Sequence, residues 1–334
     1  MSLDANPHPN PPPLAGEGAR PRPIGEPSIA KAGPKSQTAQ SSSSPASGGG
    51  SGWGLADVCG VAEIGFAVKD GATRLAHLYE HNPLRVLFPT PVAGDAALAV
   101  LVTTSGGLVA GDRIAVRVGT GAGASAHVTG SAAEKIYRST AATTEISQDL
   151  TIEQDGWLEF LPPETILFDR ARLRRHTRVD LQRGAGFLGG GIIVFGRIAM
   201  GERFRAGLLH ERWKLYRDGA LAWGDALHIA DSPCADVAAI MTDPACFADA
   251  DACATLILVP PDGYPRRFVE DARAVQQRGA SDGLRGGVTA VNGVLVARWL
   301  GDPAPLRRAY AELACHLRQA AMGLPPRLPR LWHV

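Results

Sequence analysis

Between Gly60 and Ile229 the chain alternates apolar and polar residues with a period of two and never settles into a helical period. The stretches "IAVRV" (114–118), "TEISQDLTI" (144–152) and "LRRHTRVDL" (173–181) each place every second side chain on one face. That spacing buries one face of a strand and wets the other. The punctuation agrees, since Asp70-Gly71, Asp155-Gly156 and Asp218-Gly219 are hairpin-type dipeptides and Arg183-Gly184 ends another run. Short strands follow one another without intervening helices, at spacings too uneven for a simple repeat. The pattern predicts a mostly β chain with a stacked or coiled architecture rather than a propeller. With 6% aromatic residues, 39 Gly and 25 Pro, the chain has turn-forming capacity in place of the bulk that helical bundles use.

Two helices are expected late in the chain. "PRRFVEDARAVQQRG" sets Phe268, Val269, Ala272 and Val275 on one face and stops at Gly279. "PLRRAYAELACHLRQAAMG" sets Leu306, Tyr310, Leu313 and Leu317 on another and stops at Gly323, with Asp302 and Pro303 as its start signal. Between them, 286–301 reads as a hairpin around Asn292-Gly293. Residues 1–52 hold 10 Pro, 8 Gly and 9 Ser, too little apolar surface to offset chain entropy, and are expected to be a disordered tail before one β-rich domain at 53–334.

A net charge of +1 gives no long-range field to gather nucleic acid or an anionic membrane, so neither is expected as a partner. Five scattered cysteines with no CxxC pair argue against a disulfide framework or a zinc ribbon and fit a reducing cytoplasm. The apolar run "AALAVLV" (96–102) is far short of the roughly 20 residues of a membrane span, and no secretory signal is seen at the start.

Catalytic constellations are sparse. There is no GxSxG elbow. "GGLVAGDR" (106–113) lacks the ending of a phosphate-binding loop and reads as a tight connection into the strand at Ile114. His77 and His81, four apart, would share a face on a helix, and Cys234, Cys246 and Cys253 offer scattered thiols for a soft metal. In "RARLRRHTR" the residues Arg172, Arg174, His176 and Arg178 share one face of a strand, which suits either an acidic partner or a charged, aggregation-resistant edge. Glu164 and Asp169 stand in "LPPETILFD". They could flank a sugar bond as the carboxylate pair of a β-helical carbohydrate-active enzyme, or bond backbone N–H groups at a strand turn.

Four stretches in order, "TTSGGLVAGDR" (103–113), "TGSAAEKIYRS" (129–139), "LEFLPPETILFD" (158–169) and "FGRIAMGERF" (195–204), with the ending "LPRLWHV" (328–334), resemble the urease accessory protein UreD family, called UreH in some bacteria. The resemblance spans about residue 60 to the end. It implies a β-helix-like stack with two late helices and a scaffold that is no enzyme. Such a scaffold binds apo-urease and UreF, which recruits the GTPase UreG. It implies no tightly bound cofactor, only nickel in transit. In that setting Asp112, Glu164 and Asp169 are hard oxygen ligands that pass on a divalent ion without trapping it, and Arg172, Arg174 and Arg178 are candidate partner contacts.

Overall fold

The structure, a computed structural model, describes residues 59–232, 236–279 and 283–333. The expected tail at 1–52, the domain start at Trp53 and the thiol of Cys234 lie outside the described residues. In chain order the strands are β1 (Cys59–Lys69), β2 (Ala72–His81), β3 (Leu84–Leu87), β4 (Ala97–Thr103), β5 (Arg113–Thr120), β6 (Ser125–Gly130), β7 (Glu134–Ile136), β8 (Thr144–Ile152) and β9 (Trp157–Phe160). They continue with β10 (Thr165–Leu167), β11 (Arg172–Leu181), β12 (Gly186–Val194), β13 (Leu208–Arg217) and β14 (Ala220–Ala230). Then come helix α1 (Val237–Thr242), β15 (Ala252–Val259), α2 (Val269–Gly279), β16 (Arg285–Val291), β17 (Val294–Gly301) and α3 (Pro303–Met322).

The chain coils. Strands β5, β8, β11 and β13 stack in parallel in one sheet, in the order β14-β13-β11-β8-β5-β1-β2. Strands β4, β6, β9 and β12 stack in parallel in the other, in the order β16-β17-β15-β12-β9-β6-β4-β3. A third, short side is built by β7 and β10, also parallel. The architecture is therefore the stacked, coiled β chain expected from the pattern, in the β-helix-like form that the family resemblance implies. Register shows the rung: Arg113 pairs with Glu145, 32 residues on, and Thr144 with Leu173, 29 on. The repeat is masked in the sequence because successive rungs spend different numbers of residues on the third side.

The turns divide into two kinds. Asp70-Gly71, Asp218-Gly219 and Asn292-Gly293 close true hairpins, each with both residues at positive φ. Asp155-Gly156 does not. It is a corner between β8 and β9, which lie in different sheets, and the equivalent corners of neighbouring rungs carry Gly123 and Gly184 at positive φ. These corners stack through Gly123 N–H on the Gln154 carbonyl and Asp155 N–H on the Arg183 carbonyl. A dipeptide fixes the local bend; which strand comes next to it depends on the coil.

Both ends of the coil are closed by antiparallel strands, β2 and β14 on the first sheet and β3 and β15 on the second. Between the two sheets lies one core, with Ile64, Leu150, Leu173, Phe187 and Leu215. The second sheet is also covered on its outer face, by Phe268, Val269, Ala272 and Val275 of the α2 segment and Leu306, Tyr310, Leu313 and Leu317 of α3. Hence β12 is buried almost throughout, as a strand covered on both faces must be, whereas β8 alternates strictly. The close approach of α3 to this sheet depends on Gly190, where a Cβ would stand 2.0 Å from the Thr255 carbonyl oxygen and 2.9 Å from the Tyr310 hydroxyl. Both late helices have the expected ends, except that Asp302 makes no side-chain cap at α3. The short α1, capped by Asp236, was not expected; six residues are too few to show a helical period.

Candidate functional site

The chain returns from the second sheet to the first four times, and these four passages stack into one side of the coil. Leu108 N–H donates to the Lys135 carbonyl and Tyr137 N–H to the Leu108 carbonyl. Glu134 N–H donates to the Glu164 carbonyl, Phe168 N–H to that of Ile136, and Arg170 N–H to that of Ala206. All four stretches singled out in the sequence (103–113, 129–139, 158–169 and 195–204) fall on this side. Their packing is tight: a Cβ at Gly107 would sit 2.5 Å from the Tyr137 ring, and Tyr137 in turn meets Phe168 edge-on at 4.8 Å.

Asp112, Glu164 and Asp169 all lie here, but each is engaged separately. Asp112 is 2% exposed and its Oδ2 accepts from Val109 N–H at 2.8 Å, closing the turn into β5. Asp169 Oδ1 accepts from the N–H groups of Arg205 and Ala206 at 2.9 and 3.3 Å, and its own N–H donates to Glu202 Oε1 at 2.8 Å. These two carboxylates bond backbone N–H groups at strand turns. Glu164 differs. Its Oε1 faces Arg307 Nη1 of α3 at 3.5 Å, while its buried Oε2 has no hydrogen-bond partner among the described residues. Glu164 lines a cleft beneath α3 with Arg307, Cys315 and Trp332, and Asp169 lines a separate one with Arg138, Arg172 and Glu202. They do not face one another across a common groove, so the carboxylate-pair reading has no support in the geometry.

Behind the return side, inside the coil, is a cavity of about 180 Å³ lined by Gly107, Gly130, Glu134, Gln148, Thr165 and Arg175. Arg175 points inward because it has the same parity on β11 as Leu173, Thr177 and Val179. It donates to Glu211 Oε2 and Thr165 Oγ1, each at 2.8 Å, and lies 3.6 Å from Glu134 Oε2. Burial raises the Glu134 carboxyl, with Arg175 opposing and Glu211 adding to the shift. The alternation already separates Arg175 from the outward Arg172, Arg174 and Arg178; what it does not carry is the pairing of this inward arginine with Glu211.

A second buried network ties α3 and the C-terminal segment to the sheet. Glu159, fully buried on β9, accepts from Arg318 Nε at 3.0 Å and Nη2 at 3.0 Å, from Trp157 Nε1 at 3.2 Å, and faces His127 Nδ1 at 2.8 Å. Burial alone would raise its carboxyl, but the hydrogen bonds and charges of His127 and Arg318 outweigh that and hold it at about 2. Arg318 also donates to Asp95 and to the carbonyls of Pro325 and Arg327. Trp332 then stacks on Tyr310 at 5.7 Å and donates to Thr129 Oγ1. A Glu inside the apolar run "WLEFL" and an Arg one turn after Ala314 on the buried face of α3 were the available signals.

The outward face of β11 carries Arg172, Arg174, His176 and Arg178, as the alternation predicts. Arg174 pairs with Glu145 at 3.3 Å, and Arg178 grips Asp180 through two bonds while lying over the Tyr216 ring. His77 and His81 sit on strand β2 rather than a helix, each with its own partner, Glu63 at 3.3 Å and the Cys59 carbonyl at 3.0 Å. Cys246 is exposed, and burial pushes the Cys253 thiol far up, away from the thiolate that a metal requires. No group of three or more His, Cys, Asp or Glu side chains stands ready to hold a metal ion among the described residues. Nor is any helix among them long and apolar enough to cross a membrane.

The family model described as "UreD urease accessory protein" matches residues 58–333. The chain is 39% identical over 280 residues to the urease accessory protein UreD of Magnetococcus marinus, covering 83% of this chain and 94% of that one. It is 40% identical to urease accessory protein UreD 1 of Methylobacterium radiotolerans (80% and 89% covered) and 38% identical to that of a Bradyrhizobium strain (82% and 92% covered).

Proposed function

The chain belongs to the UreD urease accessory protein family, and on that premise we propose that it is a non-catalytic scaffold in urease maturation. It binds apo-urease and UreF, with UreG recruited through UreF, and nickel passes as cargo on its way to the urease active site. The observation that carries this reading is that the family match covers the whole described unit, and within it the four stretches that resemble the family stack on a single side. A rigid, backbone-bonded side of that kind offers a surface that keeps its shape when a partner docks. Exposed apolar side chains on β2 and at the end of β3, Leu75, Leu78, Tyr79 and Leu87, add contact area of the sort that partners cover. The outward arginines Arg172, Arg174 and Arg178 suit acidic patches on the partner.

For nickel, the three carboxylates divide by geometry. Asp112 and Asp169 act by fixing the turns that shape the return side. Glu164, with one oxygen lacking a hydrogen-bond donor among the described residues, is the carboxylate with lone pairs to lend to a passing dication. Arg307 beside it keeps the affinity low, which transfer requires.

Co-expression of the tagged chain with its UreF homologue and the urease subunits tests the proposal. Co-purification of a complex, together with loss of urease activation when this gene is deleted, is the expected result. Full urease activation in the deletion strain, or a chain that purifies with neither partner, overturns it.

A further inference from the structure

On the outer face of the first sheet, three histidines stand on three adjacent strands: His176 on β11, His210 on β13 and His228 on β14. The register makes this possible. His210 is directly opposite His228 in the antiparallel β13–β14 pair and beside Arg174 in the parallel β11–β13 pair, which puts His176 two residues along on the same face. The Nδ1 atoms of His210 and His228 are 3.2 Å apart, their rings meet edge to face at 5.3 Å, and the His176 ring lies 5.5 Å from that of His210.

We infer that His210 and His228 form a cross-strand chelate for a borderline transition-metal dication such as Ni²⁺ or Zn²⁺, with His176 the nearest further donor and water filling the remaining positions. With metal–nitrogen bonds of about 2.0–2.1 Å, two donors 3.2 Å apart subtend roughly 100° at the ion, between the octahedral and tetrahedral angles. Imidazole is the protein ligand that Ni²⁺ and Zn²⁺ share, and it must be neutral to bind. Burial, with His176, His228, Arg174 and Arg212 adding to it, pushes His210 below its ordinary range. Burial with Arg212 and Arg174 does the same to His176, against a weaker opposing pull from Glu145. His210 and His176 are therefore held toward the neutral form that can bind. The hydrogen bond joining the two Nδ1 atoms puts a proton on one of them; for both Nδ1 lone pairs to bind a metal ion, that ring passes its Nδ1 proton to water and takes one up at Nε2, so both imidazoles stay neutral. Arg174 and Arg212 oppose a dication, so the site is an open, exchangeable one on the surface. It is separate from the return side and stands whether or not the maturation role holds.

The test is equilibrium dialysis of the purified full-length chain against Ni²⁺ in a buffer free of imidazole, for the wild type, His210→Ala and His228→Asn. Circular dichroism of each metal-free protein checks the fold; His228 is exposed on an edge strand, so its replacement keeps the test valid if His210→Ala disturbs folding. Since loss of a mere outer-shell partner costs on the order of 10–100-fold in affinity, each substitution should weaken one equivalent of Ni²⁺ binding by at least about tenfold. Combining them should add little, because the chelate is already broken. A wild type that takes up no Ni²⁺, or His228→Asn with wild-type stoichiometry and affinity, overturns the proposal.

Discussion

Replacing Arg318 by Met would strip the charge partner from a fully buried carboxylate, and the structure sets the size of the effect. Glu159 is inaccessible to solvent and loses three of its donor contacts, Nε to both oxygens and Nη2 to Oε2, keeping only Trp157 Nε1 and His127 Nδ1. Removing one member of a buried pair costs about 3–5 kcal/mol, because the other charge is left without compensation. For a domain of this size, that lowers Tm by on the order of 10 °C. The damage is also local: Arg318 holds the carbonyls of Pro325 and Arg327, so the variant should be cleaved faster by trypsin after Arg327 and Arg330. Urea denaturation and limited proteolysis measure the two effects. A double variant, Arg318→Met with Glu159→Gln, removes both charges and should regain at least about 1 kcal/mol relative to Arg318→Met alone. A loss below about 1 kcal/mol in the single variant, or a double variant less stable than the single one, would refute the reasoning.

The same carboxyl gives a pH dependence. Its folded value of about 2 is depressed from 4.5, so its contribution is present above pH 4.5 and lost as pH falls through 2; the stability gap between wild type and Glu159→Gln should close over that window, and a gap unchanged at pH 2.5 would contradict the assignment. In Glu164→Gln the loss of negative charge should lower the nickel content of urease purified from the same cells without loosening the scaffold complex, and wild-type nickel content would remove Glu164 from the ion's path. Deleting residues 1–52, rich in Pro, Gly and Ser, should leave urease activation nearly unchanged; loss of most activity would make that segment a working element.

Most of the strands, the two long helices and the faces they bury were legible in the chain's periodicity; the six-residue α1 was not. Period-two alternation settled which side chains of β8 and β11 are buried, since a strand turns every second residue to the same side whatever its neighbours are. Gly279 and Gly323 marked the helix ends, and positive φ at Asn292 and Gly293 was legible as a hairpin. The family resemblance was legible in four short stretches for a related reason: each is a tight passage whose local geometry restricts its residues. How these pieces meet follows from the coil as a whole. Asp155-Gly156 has the composition of a hairpin turn, yet only Asp155 takes positive φ, and the parallel stacking of rungs about 30 residues apart makes it a corner. Arg318 reaches Glu159 across 159 positions and Arg175 reaches Glu211 across 36, distances at which no periodicity in the chain carries a signal. The histidines of β11, β13 and β14 look isolated in sequence for the same reason. Register between strands is fixed by the whole buried face of the coil, and only that register brings His210 and His228 opposite one another.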